Sequence, residues 1–371
     1  MSKTLQDYAT LINDTTQSNE INHYITTDNM YQNLGGIDTF KNINIPQGKV
    51  RSFQKDDVLL SNIRLYFRKV YRAKQKGGCS SDVLVFRAKH IDSATLFAIL
   101  SSQIFTDYAC SGSQGSKMPR GNKTHMMDFK ISTINFTIAK IFNSIQNKIE
   151  NNHKINELLH KILELLYEQY FVRFDFLDEN NKPYQTSGGK MKFSKELNRL
   201  IPNDFEVKTL GELTQLKVGN KNANHSSNQG KYPFFTCSNN PLRCETYQFE
   251  GKHIIISGNG NFYVTHYDGK FDAYQRTYVV NPNNPNHYVL IYLFVKSYTN
   301  YLKLQSRGSI IKFITKSDIE NIKIILPNLK TYAKWNNVLK MIENNNQSTQ
   351  TLTALRDFLL PLLLKQQVKP Q

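Results

Sequence analysis

The chain has few cysteines and no long hydrophobic run. Four cysteines in 371 residues are too few and too far apart for a disulfide-stabilised secreted domain. The longest apolar stretch, residues 359–364, is far shorter than the roughly 18 residues that a membrane-spanning helix needs. The first seven residues lack the apolar core of a secretory signal. We therefore expect a soluble, cytoplasmic protein with no membrane partner.

Acidic residues are scarce relative to basic ones. Lys and Arg number 47 against 30 Asp and Glu, a formal net charge of +17. Residues 51–134 contain 14 basic and 6 acidic side chains, and residues 251–327 contain 9 and 4, so no basic tail carries the excess. This distribution favours a folded basic surface and a polyanionic partner. A skewed surface without a partner is the alternative.

The chain contains an internal repeat. Residues 58–62 (VLLSN) resemble residues 254–259 (IIISGN), an offset near 196. Gly115-Ser116 recurs as Gly308-Ser309, and residues 149–152 (IENN) recur as residues 342–345, both at an offset of 193. Three matches in the same order at a nearly constant offset predict two copies of one module. In each copy a β-rich part, with buried strands at 83–86 and 253–256, precedes a long helix.

The two long helices are predicted over about 136–172 and 331–366. Apolar residues recur there at alternating spacings of three and four, which is typical of a coiled-coil seam. Asn152 and Asn345 occupy the same seam position in the two copies, so we expect the helices to pair. Packing of each helix on its own globular half is the alternative. The seam residues are Ile145, Asn152, Leu159 and Leu166 in the first helix, which Ile141, Ile155 and Ile162 extend, and Val338, Asn345, Leu352 and Leu359 in the second.

A helix pair of this length makes a rigid spacer. About 30 residues at 1.5 Å each span about 45 Å, somewhat more than one DNA turn of about 34–36 Å. Pro361 should kink or shorten the second helix. His153 and His160, one heptad apart, are expected at solvated helix positions. A basic, two-headed molecule with a rigid spacer suggests a reader of a split DNA site.

A family resemblance covers nearly the whole chain. It is strongest over residues 234–238 (FFTCS), 255–260 (IISGNG), 267–278, 308–314 (GSIIKFI) and 322–327 (IKIILP), with a lead-in at 201–213; in the first half it continues over 57–69, 77–85 and 117–121 (KMPRG). In this order the series resembles the specificity subunits of type I restriction-modification systems. The resemblance implies an α+β fold of two target-recognition domains, related by pseudo-twofold symmetry and joined by two long antiparallel coiled-coil spacer helices. The implied segments are recognition domain 1 (1–134), the central spacer helix (135–175), a linker (176–200), recognition domain 2 (201–327) and the C-terminal spacer helix (328–371).

The resemblance implies sequence-specific binding of double-stranded DNA rather than catalysis. In the family each recognition domain reads one half of a split, asymmetric site. Modification subunits, two of them, bind S-adenosylmethionine and methylate adenine, and restriction subunits use ATP and Mg²⁺ for translocation and cleavage. No cofactor is therefore expected in this chain.

A stand-alone enzyme is the main alternative function. An adenine methyltransferase needs an Asn/Asp-Pro-Pro-aromatic element, and Asn240-Pro241-Leu242-Arg243 lacks the second proline and the aromatic residue. A metal-dependent nuclease is weakly suggested by Glu206-Val207-Lys208, but Asp204 lies too close to complete the motif. No histidine or cysteine spacing predicts a metal site. A coiled-coil adaptor without a DNA role is a third possibility, which the basic charge disfavours.

Candidate DNA contacts are long basic and amide side chains in the basic segments. Phosphates are bound by Lys, Arg and backbone N–H groups, and base edges are read by Arg, Asn and Gln. The candidates are Arg64, Lys69, Lys117, Arg120, Asn122 and Lys123 in the first module, and Asn259, Asn261, Tyr267, Gln275, Arg276, Arg307 and Lys312 in the second.

Overall fold

The computed structural model divides the chain into two compact α/β-containing units. It describes residues 3–39, 41–227, 229–327, 332 and 334–364. The first unit comprises Met1–Glu157 and Asn344–Gln371, and the second comprises Leu158–Glu343. Each unit contains a globular part and a part of each long helix, so the unit boundaries fall inside the helices rather than at their ends.

The first unit is built on two four-stranded sheets and a small two-stranded one. The sheet orders are β2-β9-β6-β7, β3-β5-β8-β4 and β1-β10. β6 and β9 lie centrally, and β6 is buried along its whole length, which explains its unbroken apolar sequence. The strands are β1 (Lys3–Thr4), β2 (Ala9–Ile12), β3 (Thr15–Gln17), β4 (Tyr24–Ile25), β5 (Lys49–Phe53), β6 (Val58–Ser61), β7 (Val70–Arg72), β8 (Gly77–Cys79), β9 (Val83–Ala88) and β10 (Lys130–Ile131).

The helices of the first unit lie on one face of the β2-β9-β6-β7 sheet. α2 is buried along most of its length, and the Asp92 side chain caps it by accepting from Thr95 N at 2.8 Å. Leu360 and Leu363, which follow the last long helix, complete the same core. The helices are α1 (Leu5–Tyr8), α2 (Ser93–Ser101), α3 (Gln103–Ser111), α4 (Lys123–Met127) and α5 (Phe136–Tyr167).

The second unit has a six-stranded sheet with the order β14-β19-β17-β18-β15-β16. Two short pairs, β11-β12 and β13-β20, accompany it. The segment 176–200, expected to be a linker, contains β11 and the start of β12, and Met191 packs against the main core. The strands are β11 (Met191–Ser194), β12 (Arg199–Pro202), β13 (Glu206–Thr209), β14 (Thr214–Val218), β15 (Tyr232–Phe235), β16 (Leu242–Cys244), β17 (Phe249–Ser257), β18 (Val264–Ala273), β19 (Thr277–Pro282) and β20 (Lys323–Leu326).

The core of the second unit packs around α7, which is almost entirely buried. Aromatic side chains connect it to both long helices, since Tyr167 and Phe171 contact Phe294 and Phe171 also contacts Trp335. The helices are α6 (Leu210–Leu213), α7 (Tyr288–Ser297), α8 (Thr299–Gln305), α9 (Lys316–Glu320) and α10 (Trp335–Leu359).

The sequence repeat extends to the order of elements. Each unit contains a strand, a one-turn helix with a capping box and a second strand in succession, β1-α1-β2 in the first unit and β13-α6-β14 in the second. The strand before the one-turn helix pairs in both units with the strand that precedes a long helix, as β1 does with β10 and β13 with β20. The α+β class and the buried strands at 83–86 and 253–256 are confirmed.

The paired long helices run antiparallel within the first unit. Asn152 Nδ2 donates to Thr349 Oγ1 at 3.1 Å, and Asn156 Nδ2 donates to Asn346 Oδ1 at 2.8 Å. Farther along, the guanidinium of buried Arg356 donates to Gln146 Oε1 at 3.2 Å. Ile145 and Asn152 are buried, and six further predicted seam residues are half-buried, namely Leu159, Leu166, Val338, Asn345, Leu352 and Leu359.

Part of the predicted seam is wrong. Ile141, Ile155 and Ile162 are exposed. One of the two heptad rows is displaced by one position: residues 142, 149, 156 and 163 are buried in place of the row that contains Ile141, Ile155 and Ile162, whereas Ile145 and Asn152 of the other row are buried as predicted. His160 is half-buried rather than solvated, and burial, reinforced by the charges of Lys296 and His266, lowers its pKa to about 4.

The two long helices end differently, and the end of α10 agrees with the expected effect of Pro361. α5 continues as a π turn over Glu168–Val172. α10 ends at Leu359 and is followed by a 3₁₀ turn over Leu360–Leu362 that contains Pro361. Residues 328–331, 333 and 365–371 of the predicted C-terminal spacer lie outside the described residues. Among the described residues, no helix has the length and apolar content needed to cross a membrane.

Candidate DNA interface

Three loops meet in the second unit and form what we call the second loop cluster (residues 257–263, 274–277 and 307–314). Gly258 N donates to Arg276 O at 2.7 Å, and Ile314 N donates to Gly258 O at 2.9 Å. Gly260 N donates to Lys312 O at 2.8 Å. These backbone bonds hold the loops in one arrangement, so the side chains between them project from a defined frame.

The first unit contains the same frame, the first loop cluster (residues 61–65, 80–83 and 113–121). Asn62 N donates to Asp82 O at 2.7 Å, and Gly121 N donates to Asn62 O at 3.1 Å. Arg64 N donates to Pro119 O at 2.9 Å. Each bond matches one in the second loop cluster at an offset of 193 to 196 residues.

Each cluster presents a short hairpin. Gln114 and Arg120 exchange two backbone hydrogen bonds of 2.9 and 2.8 Å, and Arg307 and Phe313 exchange two of 3.0 and 2.9 Å. Five residues form each tip, 115–119 and 308–312, and both tips begin with a glycine of positive φ, +97° and +95°. A Cβ on Gly308 would lie 2.3 Å from Ile311 O, so this turn requires glycine.

Six of the seven candidate residues in the second module lie in the second loop cluster. Gln275, Arg276 and Lys312 are exposed and have side chains free to reach a ligand in the described structure. Arg307 is exposed but is paired with Asp318 at 3.3 Å. Burial alone would raise the pKa of Asp318, but hydrogen bonds from Thr315 and the charge of Arg307 lower it. The other two are Asn259, half-buried, and Asn261, whose amide donates to Tyr263 Oη at 3.1 Å.

Three candidates of the first module lie in the first loop cluster. Lys117 is exposed at the hairpin tip. Arg120 is exposed and forms an ion pair with Asp82 at 2.7 Å. Arg64 adopts a left-handed backbone conformation, with φ of +49°, and its guanidinium donates to Lys117 O at 3.4 Å. This side chain therefore supports the hairpin tip.

The remaining candidates lie elsewhere. Lys69 donates to Thr27 O at 2.5 Å, and burial lowers its pKa. Its ammonium is therefore bound to backbone within the unit. Asn122 caps α4 by accepting from His125 N at 3.1 Å, and Lys123 is the exposed first residue of that helix. Tyr267 packs in a small aromatic core, and burial raises its pKa.

Sequence reasoning missed the apolar residues at the hairpin tips. Met118 is 52% exposed, Ile311 61% and Ile310 95%. The signal was present in the sequence of the second copy, where Gly308-Ser309 is followed directly by two isoleucines; in the first copy Gly115-Ser116 is followed by Lys117 and Met118.

Sequence spacing also missed a group of possible metal ligands. His225, Cys244 and Asp272 have ligand atoms within 4.8 Å of one another. Asp272 Oδ2 accepts from Thr246 Oγ1 at 2.5 Å and lies 3.2 Å from His225 Nε2. These contacts place His225 and Thr246 on one oxygen of the buried Asp272 carboxylate.

Comparison with known proteins agrees with this duplicated loop architecture. Residues 202–355 match the family model described as the type I restriction modification DNA specificity domain. The EcoDI specificity subunit of Escherichia coli is 38% identical over 132 residues, which is 34% of this chain and 28% of that protein. The MjaIX specificity subunit of Methanocaldococcus jannaschii is 23% identical over 301 residues, covering 72% of this chain and 67% of its own length.

A solved structure shows the same fold over the whole chain. The crystal structure of a type I restriction-modification S subunit from M. genitalium aligns with a TM-score of 0.61 at 16% identity, covering 99% of this chain and 96% of that one.

The fold and its loops define a duplicated α+β protein in which each unit presents the same basic loop cluster. Residues 202–355 match the type I restriction modification DNA specificity domain, and the whole chain is similar in fold to a solved type I S subunit.

Proposed function

We propose that this chain reads an asymmetric, two-part DNA sequence, one half with each loop cluster, and has no active site of its own. The observation that carries the proposal is one backbone frame bearing two sets of side chains. Asp82, Lys117 and Arg120 in the first cluster stand where Arg276, Ile310 and Phe313 stand in the second. Because the backbone arrangement is the same, both clusters can approach a DNA duplex in the same way. Because the side chains differ, the two clusters select different bases.

The exposed apolar residues of the long helices support docking of a partner. In the second unit Leu158, Ile162 and Leu165 form an exposed stripe on α5. In the first unit Leu355 and Phe358, on α10, are exposed at the positions equivalent to Ile162 and Leu165. Apolar helical stripes exposed to water mark interaction surfaces. Because the same surface occurs once in each unit, it suits two copies of one partner.

We assign this partner as the modification subunit, with S-adenosylmethionine bound there. ATP and Mg²⁺ belong to restriction subunits that join the same complex. Because the DNA and the methyl donor are cytoplasmic, the complex acts in the cytoplasm.

Methylome sequencing tests the proposed function. The chain is expressed with its neighbouring modification subunit in a host that lacks adenine methylation. We expect one new split motif, methylated on adenines in both halves. Exchange of residues 1–134 for those of another specificity subunit should change one half only. If a soluble complex methylates no motif, the proposed reading is refuted.

The docking surface is tested separately by Ile162→Asp. The charge should prevent one modification subunit from binding, so the mass of the complex falls by one subunit. Leu200→Asp, at an exposed position on β12 of the same unit, is the matched control. Equal assembly of both variants would show that the stripe is not the docking surface. Adenine methylation or DNA cleavage by the purified chain alone would instead support a stand-alone enzyme.

A further inference from the structure

Backbone hydrogen bonds hold the hairpin of the second loop cluster in place, and the most exposed side chains of the cluster lie at its tip. Its two arms are joined at Arg307 and Phe313, and Gly260 N and Ile314 N tie the second arm to the 257–263 loop. The left-handed Gly308 makes the turn tight. A tip held at both arms keeps its direction when it meets a ligand.

The tip is apolar where a solvent-exposed turn is normally polar. Ile310 is 95% exposed and Ile311 is 61% exposed, although neither is needed for the core. Turns usually carry Gly, Asn, Asp or Ser because those side chains suit the backbone and the solvent. Two adjacent isoleucines at a tip therefore indicate a surface that becomes covered when a partner binds.

The charges around the tip indicate which partner covers it. Arg276, Arg307 and Lys312 are exposed cations of the same loop cluster, and within the described part of the chain the carboxylate that pairs with them is Asp318, which is bound to Arg307. An apolar tip with a surplus of positive charge at its base matches the cross-section of duplex DNA. The phosphates lie outside, and the apolar faces of the stacked bases lie within.

We propose that Ile310, supported by Ile311, inserts into a base-pair step of the half-site that the second loop cluster reads. The inserted side chain partly unstacks the step and bends the duplex. Deformable pyrimidine–purine steps are then favoured at that position. This inference rests on the proposed DNA-reading function and adds a mode of recognition to it.

The first loop cluster provides an internal comparison. Lys117 stands at the position of Ile310, and Met118 stands at the position of Ile311. Met118 is about half exposed, and Lys117 carries a charge that suits a phosphate better than a base stack. Insertion is therefore expected in one half-site and not in the other.

The experiment uses the complex of the full chain with its modification subunits and duplexes that carry its methylated motif. 2-Aminopurine is placed at successive steps of each half-site, and its fluorescence reports unstacking. Ile310→Ser is compared with Met118→Ser and with Leu200→Ser, an exposed apolar position outside the loop clusters.

We expect the wild-type complex to raise the fluorescence at one step of the second half-site. Ile310→Ser should abolish that rise and weaken binding roughly tenfold or more, because an isoleucine is no longer buried. Met118→Ser and Leu200→Ser should leave the rise unchanged.

Two results would overturn the inference. If wild-type complex binds its motif but no 2-aminopurine position responds, insertion does not occur while the proposed function stands. If Ile310→Ser impairs assembly with the modification subunits but leaves DNA affinity and fluorescence unchanged, the tip contacts protein. Absence of any sequence-specific binding by the wild type would count against the proposed function itself.

Discussion

Asp82→Asn should tighten DNA binding by releasing Arg120. The two side chains form an ion pair of 2.7 Å in the first loop cluster, and both are accessible, with Arg120 exposed over 58% of its side chain. An exposed ion pair of this kind stabilises a protein by only about 0.2–1 kcal/mol. The variant should therefore fold normally, so its effect on DNA binding can be measured without a loss of structure.

The magnitude follows from the release of counterions. Each phosphate contact contributes about −0.9 to the slope of log K against log salt, so raising the salt from about 50 to about 200 mM weakens binding by about 3.5-fold per contact. If Asp82→Asn allows Arg120 to contact one further phosphate, the variant should show a slope steeper by about 0.9. Its advantage over the wild type should shrink about 3.5-fold across that salt range.

Fluorescence anisotropy of a labelled duplex, measured at four or more salt concentrations, gives both slopes. Asp56→Asn is the matched control, because Asp56 is an exposed aspartate of the same unit that also pairs with an arginine, Arg72, at 3.7 Å, but lies outside the loop cluster. Both variants raise the net charge by one. Equal slopes for the two variants, or no change for Asp82→Asn, would refute the location of Arg120 at the DNA surface.

Three further predictions concern other groups. Arg356→Ala removes a buried guanidinium and leaves Gln146 Oε1 without that donor, so the free energy of opening of residues 345–360 should fall by about 1–3 kcal/mol in hydrogen exchange. His160 has a pKa of about 4 in the folded state, below its ordinary 6.5, so the unfolded state binds the proton first as the pH falls. The wild type should therefore lose stability between pH 6.5 and pH 4. His160→Gln should not show this loss. The difference should reach about 2 kcal/mol at pH 5, measured by urea denaturation. Gly308→Ala forces a Cβ against Ile311 O and should weaken DNA binding more than Gly251→Ala, whose equally left-handed position is open.

The duplicated fold was predictable because it leaves a direct trace in the sequence. The offset of 193 between Gly115 and Gly308 marks the same hairpin in both units, and the Asn152 and Asn345 positions both lie at the helix pairing. The two loop clusters themselves were not predicted from the sequence, but most of the candidate contacts lie in them. Nine of the thirteen candidate contacts lie within these clusters, namely Arg64, Lys117, Arg120, Asn259, Asn261, Gln275, Arg276, Arg307 and Lys312.

The orientation of individual side chains was less predictable. Lys69 and Tyr267 have the residue types of DNA contacts, yet Lys69 donates to a backbone carbonyl and Tyr267 packs among rings, because partners distant in sequence occupy their surroundings. On α5 both Ile155 and Asn156 could have faced the partner helix. The structure buries Asn156, whose amide finds a partner on the other helix, and exposes Ile155. The apolar spacing therefore favoured Ile155, because Asn156 carries no apolar side chain to mark its position.

The common frame of the two clusters makes the hairpin tips exchangeable. The tips 115–119 and 308–312 contain five residues each, and both are bounded by a pair that exchanges two backbone hydrogen bonds. The carbonyl of Pro119 accepts from Arg64 N as that of Lys312 accepts from Gly260 N, so replacing residues 308–312 (GSIIK) by GSKMP keeps the acceptor. The substituted chain should fold, assemble and methylate. Its methylated motif should change only in the half read by the second unit, because the side chains that differ between the tips are the ones exposed to DNA. A change in both halves, or in neither, would show that the bases are selected by residues outside the tips.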